Sequence, residues 1–80
     1  MLAKVYITLK QGVLDPQGKA VKNSLASLGY NEVKDIRVGK YIEVRLDEVS
    51  KEVAQIKVDE MCKRLLANTT VESYTFDLCE

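Results

Sequence analysis

Histidine and tryptophan are absent from the 80 residues, and proline and phenylalanine occur once each. Neither sign of charge predominates, and no long apolar run is present. Lack of histidine removes the side chain best suited to proton transfer near neutral pH and the commonest metal ligand. Histidine-based triads and histidine-ligated metal sites are thereby excluded. Twelve basic residues balance twelve acidic ones, so no long-range field draws in nucleic acid or an anionic membrane surface. No stretch approaches the roughly 20 apolar residues that a bilayer span needs. Met1-Leu2-Ala3-Lys4 leads into a strand pattern rather than a signal peptide. A cytoplasmic protein without membrane or nucleic-acid partners is the expectation. The two cysteines, Cys62 and Cys79, belong to no paired motif and read as free thiols of a reducing compartment.

What is present suits a small folded domain. Hydrophobic residues make up 46% and charged residues 30%, which excludes a disordered tail. The length predicts one domain over residues 1–80 with a small core, which self-association would reinforce. Charge is unevenly spread: residues 1–40 carry seven basic and three acidic side chains, residues 41–80 five and nine, so the halves are +4 and −4.

Ala3, Val5, Ile7 and Leu9 alternate with Lys4, Tyr6 and Thr8, the period of a half-buried strand. Asp15-Pro16 opens a helix, the carboxylate capping free N–H groups and proline occupying the first position. Val21, Leu25 and Leu28 share one side of that helix and Gly29 ends it. Val33, Ile36 and Val38 predict a second strand, turning near Gly39 into a third that carries Ile42, Val44 and Leu46. The stripe Ala54, Val58, Met61 and Leu65, flanked by Cys62, predicts a second helix that Asn68 stops. Tyr74, Phe76 and Leu78 predict the last strand. The order is βαββαβ: an α+β, ferredoxin-like fold with an antiparallel sheet and two helices on one face.

The other sheet face is then open and carries Lys4, Tyr6, Thr8, Tyr41, Glu43, Arg45, Thr75 and Asp77. Its mixed character, with two tyrosines near the centre, suits a protein contact and equally a solvated surface. Cys62 lies beside an apolar stripe without an activating base and reads as structural. The helix start at Asp15 is no anion site, because the capping carboxylate occupies the donors that a phosphate would need. An RNA-recognition module shares the strand order and places aromatics where Tyr6 and Tyr41 fall. Glu43 on that face, too few aromatics and zero net charge count against it. A small-molecule-sensing or protein-assembly module of the same topology remains compatible with the motifs, since fold does not fix function.

Several segments in order carry a further signal: Val13-Leu14-Asp15-Pro16-Gln17-Gly18, Tyr30-Asn31-Glu32-Val33, Arg37-Val38-Gly39-Lys40-Tyr41, Glu60-Met61-Cys62, and Leu65-Leu66-Ala67-Asn68 followed by Glu72 and Tyr74. Together they resemble the PurS family, the small subunit of phosphoribosylformylglycinamidine synthase in de novo purine biosynthesis, over nearly the whole chain. The resemblance implies a non-catalytic subunit of an ATP- and glutamine-dependent carbon–nitrogen ligase. Such a subunit, as a homodimer or higher oligomer, bridges a glutaminase subunit and a large synthetase subunit. It supports ammonia transfer in the conversion of formylglycinamide ribonucleotide to formylglycinamidine ribonucleotide. ATP and Mg would be used by the synthetase, with no cofactor, metal or catalytic residue expected in this chain. Arg37, Lys40, Tyr41 and Tyr6 are the partner-interface candidates, with Lys40 and Tyr41 read as one hairpin surface. Asp15, Pro16, Gly18, Gly39 and Asn68 are the structural positions.

Overall fold

The computed structural model describes residues 1–47 and 49–80. Three strands, β1 (Leu2–Leu9), β2 (Gly39–Arg45) and β3 (Glu72–Cys79), form one antiparallel sheet in the order β2-β1-β3. Helix α1 (Pro16–Ser27) connects β1 to β2. Helix α2 (Lys51–Met61) runs on through a π-helical turn (Cys62–Leu66) toward β3. β2 and β3 flank β1 on either side, so β2-α2-β3 is a split βαβ unit with α2 crossing over the central strand.

That crossing decides the core. Ala3, Val5 and Ile7, alternating on the strand paired on both edges, are buried under Val58 and Cys62, with Ala67 alongside. Ile42, Val44, Tyr74, Phe76 and Leu78 pack around them half-buried, because each flanking strand has one uncovered edge. Register places Val5 opposite both Ile42 and Phe76, and Tyr6 opposite both Tyr41 and Thr75. One face is therefore apolar across all three strands. The other carries tyrosines and charges.

The ends of α1 follow from local chemistry. Asp15 caps it, accepting from the Gly18 N–H at 2.9 Å, and Pro16 stands where a missing donor is harmless. At the far end Gly29 has φ +100. The Tyr30 N–H donates to the Leu25 carbonyl at 3.0 Å and the Gly29 N–H to the Ala26 carbonyl at 3.1 Å, the paired bonds of a Schellman stop.

The α+β, ferredoxin-like class stands, with three corrections. No strand forms over residues 31–38, so the order is βαβαβ and there is no hairpin at Gly39, which instead begins β2 against β1. Val33, Ile36 and Val38 lack strict alternation, and the backbone of this segment finds other partners: the Ile36 N–H bonds Asp35 and the Val38 N–H bonds Asp15. Second, α1 does not share the sheet face with α2. Gly18 is its only buried residue and it packs substantially on neither sheet nor α2. The longest dimension is 49 Å, about what an eight-residue strand (~26 Å) and a 12-residue helix (~18 Å) reach end to end. Third, the Ala67 N–H bonds the Cys62 carbonyl across an extra residue, and this π-turn rotates the stripe. Leu66 faces the core where Leu65 was expected, and Leu65 is 83% exposed.

Candidate partner-contact site

The loops at one end of the sheet are joined by two long-range polar contacts. The second oxygen of Asp15 accepts from the Val38 N–H at 2.8 Å, so one buried carboxylate both caps α1 and holds the segment entering β2. Arg37 answers from the opposite direction. Its guanidinium donates to the carbonyls of Leu9 (2.7 Å), Lys10 (2.8 Å) and Val13 (3.3 Å), closing the β1–α1 loop. The two N–H groups of Gly18 and Val38, with the Arg37 charge nearby, hold the Asp15 carboxyl below its ordinary value of 3.8. Gly18 is required here, because a Cβ would fall on the Ile36 carbonyl oxygen. Gly39 is required likewise, since its Cβ would meet the Ile7 carbonyl.

The same end of the sheet holds Lys40 and Glu72, an ion pair at 3.3 Å spanning β2 and β3. The Glu72 carboxylate also accepts from the Asn68 N–H at 2.7 Å, and mainly this bond lowers its pKa from 4.5. Asn68 is a turn residue as well as a helix terminus. Its side chain accepts from the Thr70 N–H at 3.2 Å and its carbonyl from the Glu72 N–H at 2.7 Å. A shallow groove of about 270 Å³ runs between Asp15, Gln17, Val38, Lys40 and Glu72. Its charged groups are engaged with one another or with backbone, so it serves chiefly to tie the loops together.

The open face carries the other candidates. Tyr6 and Tyr41, direct partners across the strands, have ring centroids 5.3 Å apart at an interplanar angle of 32°. The Tyr41 hydroxyl donates to Glu43 at 2.8 Å. That bond to an anion pushes the phenol up to about 12. The rings remain 42% and 51% exposed, a raised aromatic pair bordered by the alternating charges of the row Glu43, Lys4, Asp77.

The structure thus sorts the four interface candidates. Tyr6 and Tyr41 come together on the open face, whereas Lys40 shares the parity of Ile42 and Val44 and lies on the opposite side. Lys40 and Tyr41 do not form one hairpin surface, because successive residues of a strand point to opposite faces. Arg37 has a structural task in the loop clasp. Sequence reasoning did not pair Asp15 with Val38 or Arg37 with three carbonyls; the only available signal was that both segments carried the family resemblance.

Elsewhere, Tyr74 donates to Asp59 at 2.6 Å and Lys63 pairs with Asp59 at 2.9 Å. The Tyr74 bond, then Lys63, lowers the Asp59 pKa. Burial pushes the free Cys62 thiol above its ordinary 9.0. Among the described residues no three His, Cys, Asp or Glu side chains converge to hold a metal ion. No helix of the described residues is long and apolar enough to cross a membrane.

Two predictions arise here. Asp15→Ala removes a cap and also orphans the Val38 N–H, so a calorimetric scan should show the melting temperature lower by roughly 5–10 °C. An unchanged melting point would refute the double role. The second concerns pH. The folded pKa values of Asp15, Asp59 and Glu72 lie below the ordinary 3.8, 3.8 and 4.5, so around pH 4 the folded chain binds fewer protons than the unfolded one. Their stabilisation is complete above about pH 4.5 and is lost as pH falls through the folded values. Cys62 and Tyr74 are raised above 9.0 and 10.0, so stability declines again as pH rises past about 9. With no histidine, urea midpoints should form a plateau from about pH 5 to 8.5. A step near pH 6.5 would contradict this assignment.

Comparison with known proteins settles the family. The model of the family "PurS: Phosphoribosylformylglycinamidine (FGAM) synthase" matches residues 2–80. Phosphoribosylformylglycinamidine synthase subunit PurS of Bacillus subtilis is 48% identical over 77 residues, covering 96% of this chain and 90% of that protein. The solved structure of B. subtilis PurS superposes with a TM-score of 0.87 at 47% identity, covering 99% and 98% of the two chains. A chain in the structure of PurLQS from Thermotoga maritima superposes with a TM-score of 0.82 at 32% identity, covering 96% of each. The chain belongs to the PurS family, the PurS subunit of FGAM synthase.

Proposed function

We propose that the chain is a non-catalytic scaffold of a ligase complex, bridging a glutaminase subunit and an ATP-dependent synthetase subunit so that ammonia released from glutamine reaches formylglycinamide ribonucleotide. The observation that carries this reading is the full-length likeness to a chain of the T. maritima PurLQS assembly. The build of the molecule supports it: the polar groups at the sheet end are spent on holding the chain together, and its exposed tyrosines suit contact with proteins. ATP and Mg belong to the synthetase, and this chain holds no cofactor. It acts in the cytoplasm and associates with itself. Holding two active sites in register converts transfer of a diffusible intermediate into a local event.

The test is reconstitution with the matching glutaminase and synthetase. Omitting the chain should abolish most glutamine-dependent product while leaving synthesis from added ammonia within about twofold. The chain alone should neither hydrolyse glutamine nor turn over ATP. Full glutamine-dependent activity without it would overturn the proposal.

A further inference from the structure

Of the two outer strands of the sheet, β2 carries Lys40 and Arg45, whereas the eight residues of β3 include no lysine, arginine or proline. Its pairing with β1 runs unbroken from Leu2–Cys79 to Leu9–Glu72, so no bulge turns it aside. Positive charge, proline and bulges are the usual means by which an edge strand is kept from pairing further. β3 has none of them, and among the described residues no strand lies beyond it. On that side alternate N–H and C=O groups of the strand point away from β1.

Beside this edge lies a groove of about 540 Å³ between α2 and β3. Ile56, 61% exposed, lines it from the helix and half-buried Phe76 from the strand. Asp59, Glu60 and Lys63 stand around it. Lys63 pairs with Asp59, which leaves Glu60 as the unmatched charge. On β3 itself Glu72 is engaged by Lys40 and the Asn68 N–H, which leaves Asp77.

We infer that β3 receives an extended segment of a larger subunit as a fourth strand, a segment that sets an apolar side chain between Ile56 and Phe76 and presents lysine or arginine to Glu60 and Asp77. This names one contact of the scaffold function proposed above and rests on that reading. Backbone bonds along the edge supply affinity in such an arrangement, and alternate side chains supply the choice of partner. Glu60 is on the α2 side of the sheet and Asp77 on the open side, so the two basic residues occupy positions of opposite parity on the incoming strand. Charge argues against a second copy at this edge. Two β3 strands side by side bring acid to acid, with no base on either strand.

The experiment is hydrogen exchange read by mass spectrometry, on the full chain alone and in the complex reconstituted with the matching glutaminase and synthetase. In the free chain the half of the β3 amides that face β1 should exchange slowly and the outward half fast. In the complex the outward half should slow by about tenfold or more. Ile56→Asp and Glu60→Lys alter exposed side chains and should each weaken entry into the complex by about tenfold, with the helical dichroism and the mass of the isolated chain unchanged. Variants that enter with wild-type affinity would overturn the inference. A complex that couples glutamine to product with β3 exchange unchanged would overturn this contact and leave the scaffold function standing. Full glutamine-dependent product without the chain would overturn both. Outward amides already protected in the free chain, and released on dilution, would place a second copy on the edge and overturn the contact with a larger subunit.

Discussion

Replacing Gly18 by alanine is expected to lower the melting temperature by about 10 °C or more, against the direction that helix propensity dictates. In an exposed helix the same change stabilises by up to about 1 kcal/mol. Here the new methyl would fall on the Ile36 carbonyl oxygen and crowd the Asp15 carboxylate, whose nearest oxygen stands 3.0 Å from the Cβ position. Backbone cannot yield as a side-chain tip can. The neighbouring segment is pinned by the Val38–Asp15 bond and by the three bonds of Arg37. Gln17→Ala, on the exposed side of the same turn, should shift the melting point by no more than a few degrees. A Gly18→Ala chain melting at or above wild type would show that the clasp between the two loops is not rigid.

The second large effect separates two neighbours in sequence. Tyr6→Ala with Tyr41→Ala should reduce glutamine-dependent synthesis by the reconstituted complex tenfold or more, the loss typical of a central aromatic contact. Synthesis from added ammonia should change less than about twofold, because free ammonia bypasses transfer between subunits. The fold should persist, since both rings lie outside the core cluster of Ala3, Val5, Ile7, Val58, Cys62 and Ala67. Lys40→Glu should leave both activities within about twofold. It breaks an ion pair with Glu72 on the opposite side of the sheet, in which the Lys40 side chain is 55% and that of Glu72 16% exposed, and a pair open to solvent on one side contributes modestly. Equal losses with both nitrogen sources would show that the tyrosine pair is not the coupling surface, and a larger effect from Lys40 would place that surface at the sheet end.

The contrast between these neighbours shows where reading along the chain is reliable. Alternation in Ala3–Leu9 and Tyr74–Leu78 predicts both strands and their buried sides, because a period of two has one physical solution when one face is covered. Asp15-Pro16 and Gly29 mark both ends of α1, since caps are local chemistry. Val33, Ile36 and Val38 mislead: β-branched residues without strict alternation do not make a strand by themselves, and here the Ile36 and Val38 N–H groups bond the Asp35 and Asp15 carboxylates while the outer edge of β2 stays unpaired among the described residues. Leu65 misleads because a π-turn changes the helical phase without a sequence mark.

The sequence by itself determined the α+β class, the caps, the inward face of each observed strand, the absence of histidine chemistry and the family. Each is a local or compositional property, written in adjacent residues or in their order. Tertiary structure alone decided that Asp15 reaches Val38, that Arg37 closes a loop 24 to 28 residues away, that Lys40 and Tyr41 part to opposite faces, and that α1 lies off the sheet while α2 alone covers it. Those outcomes depend on which long-range donor finds which acceptor and on which strand takes the edge of β1. They are settled by competition among distant groups for the same partners, which no local pattern encodes.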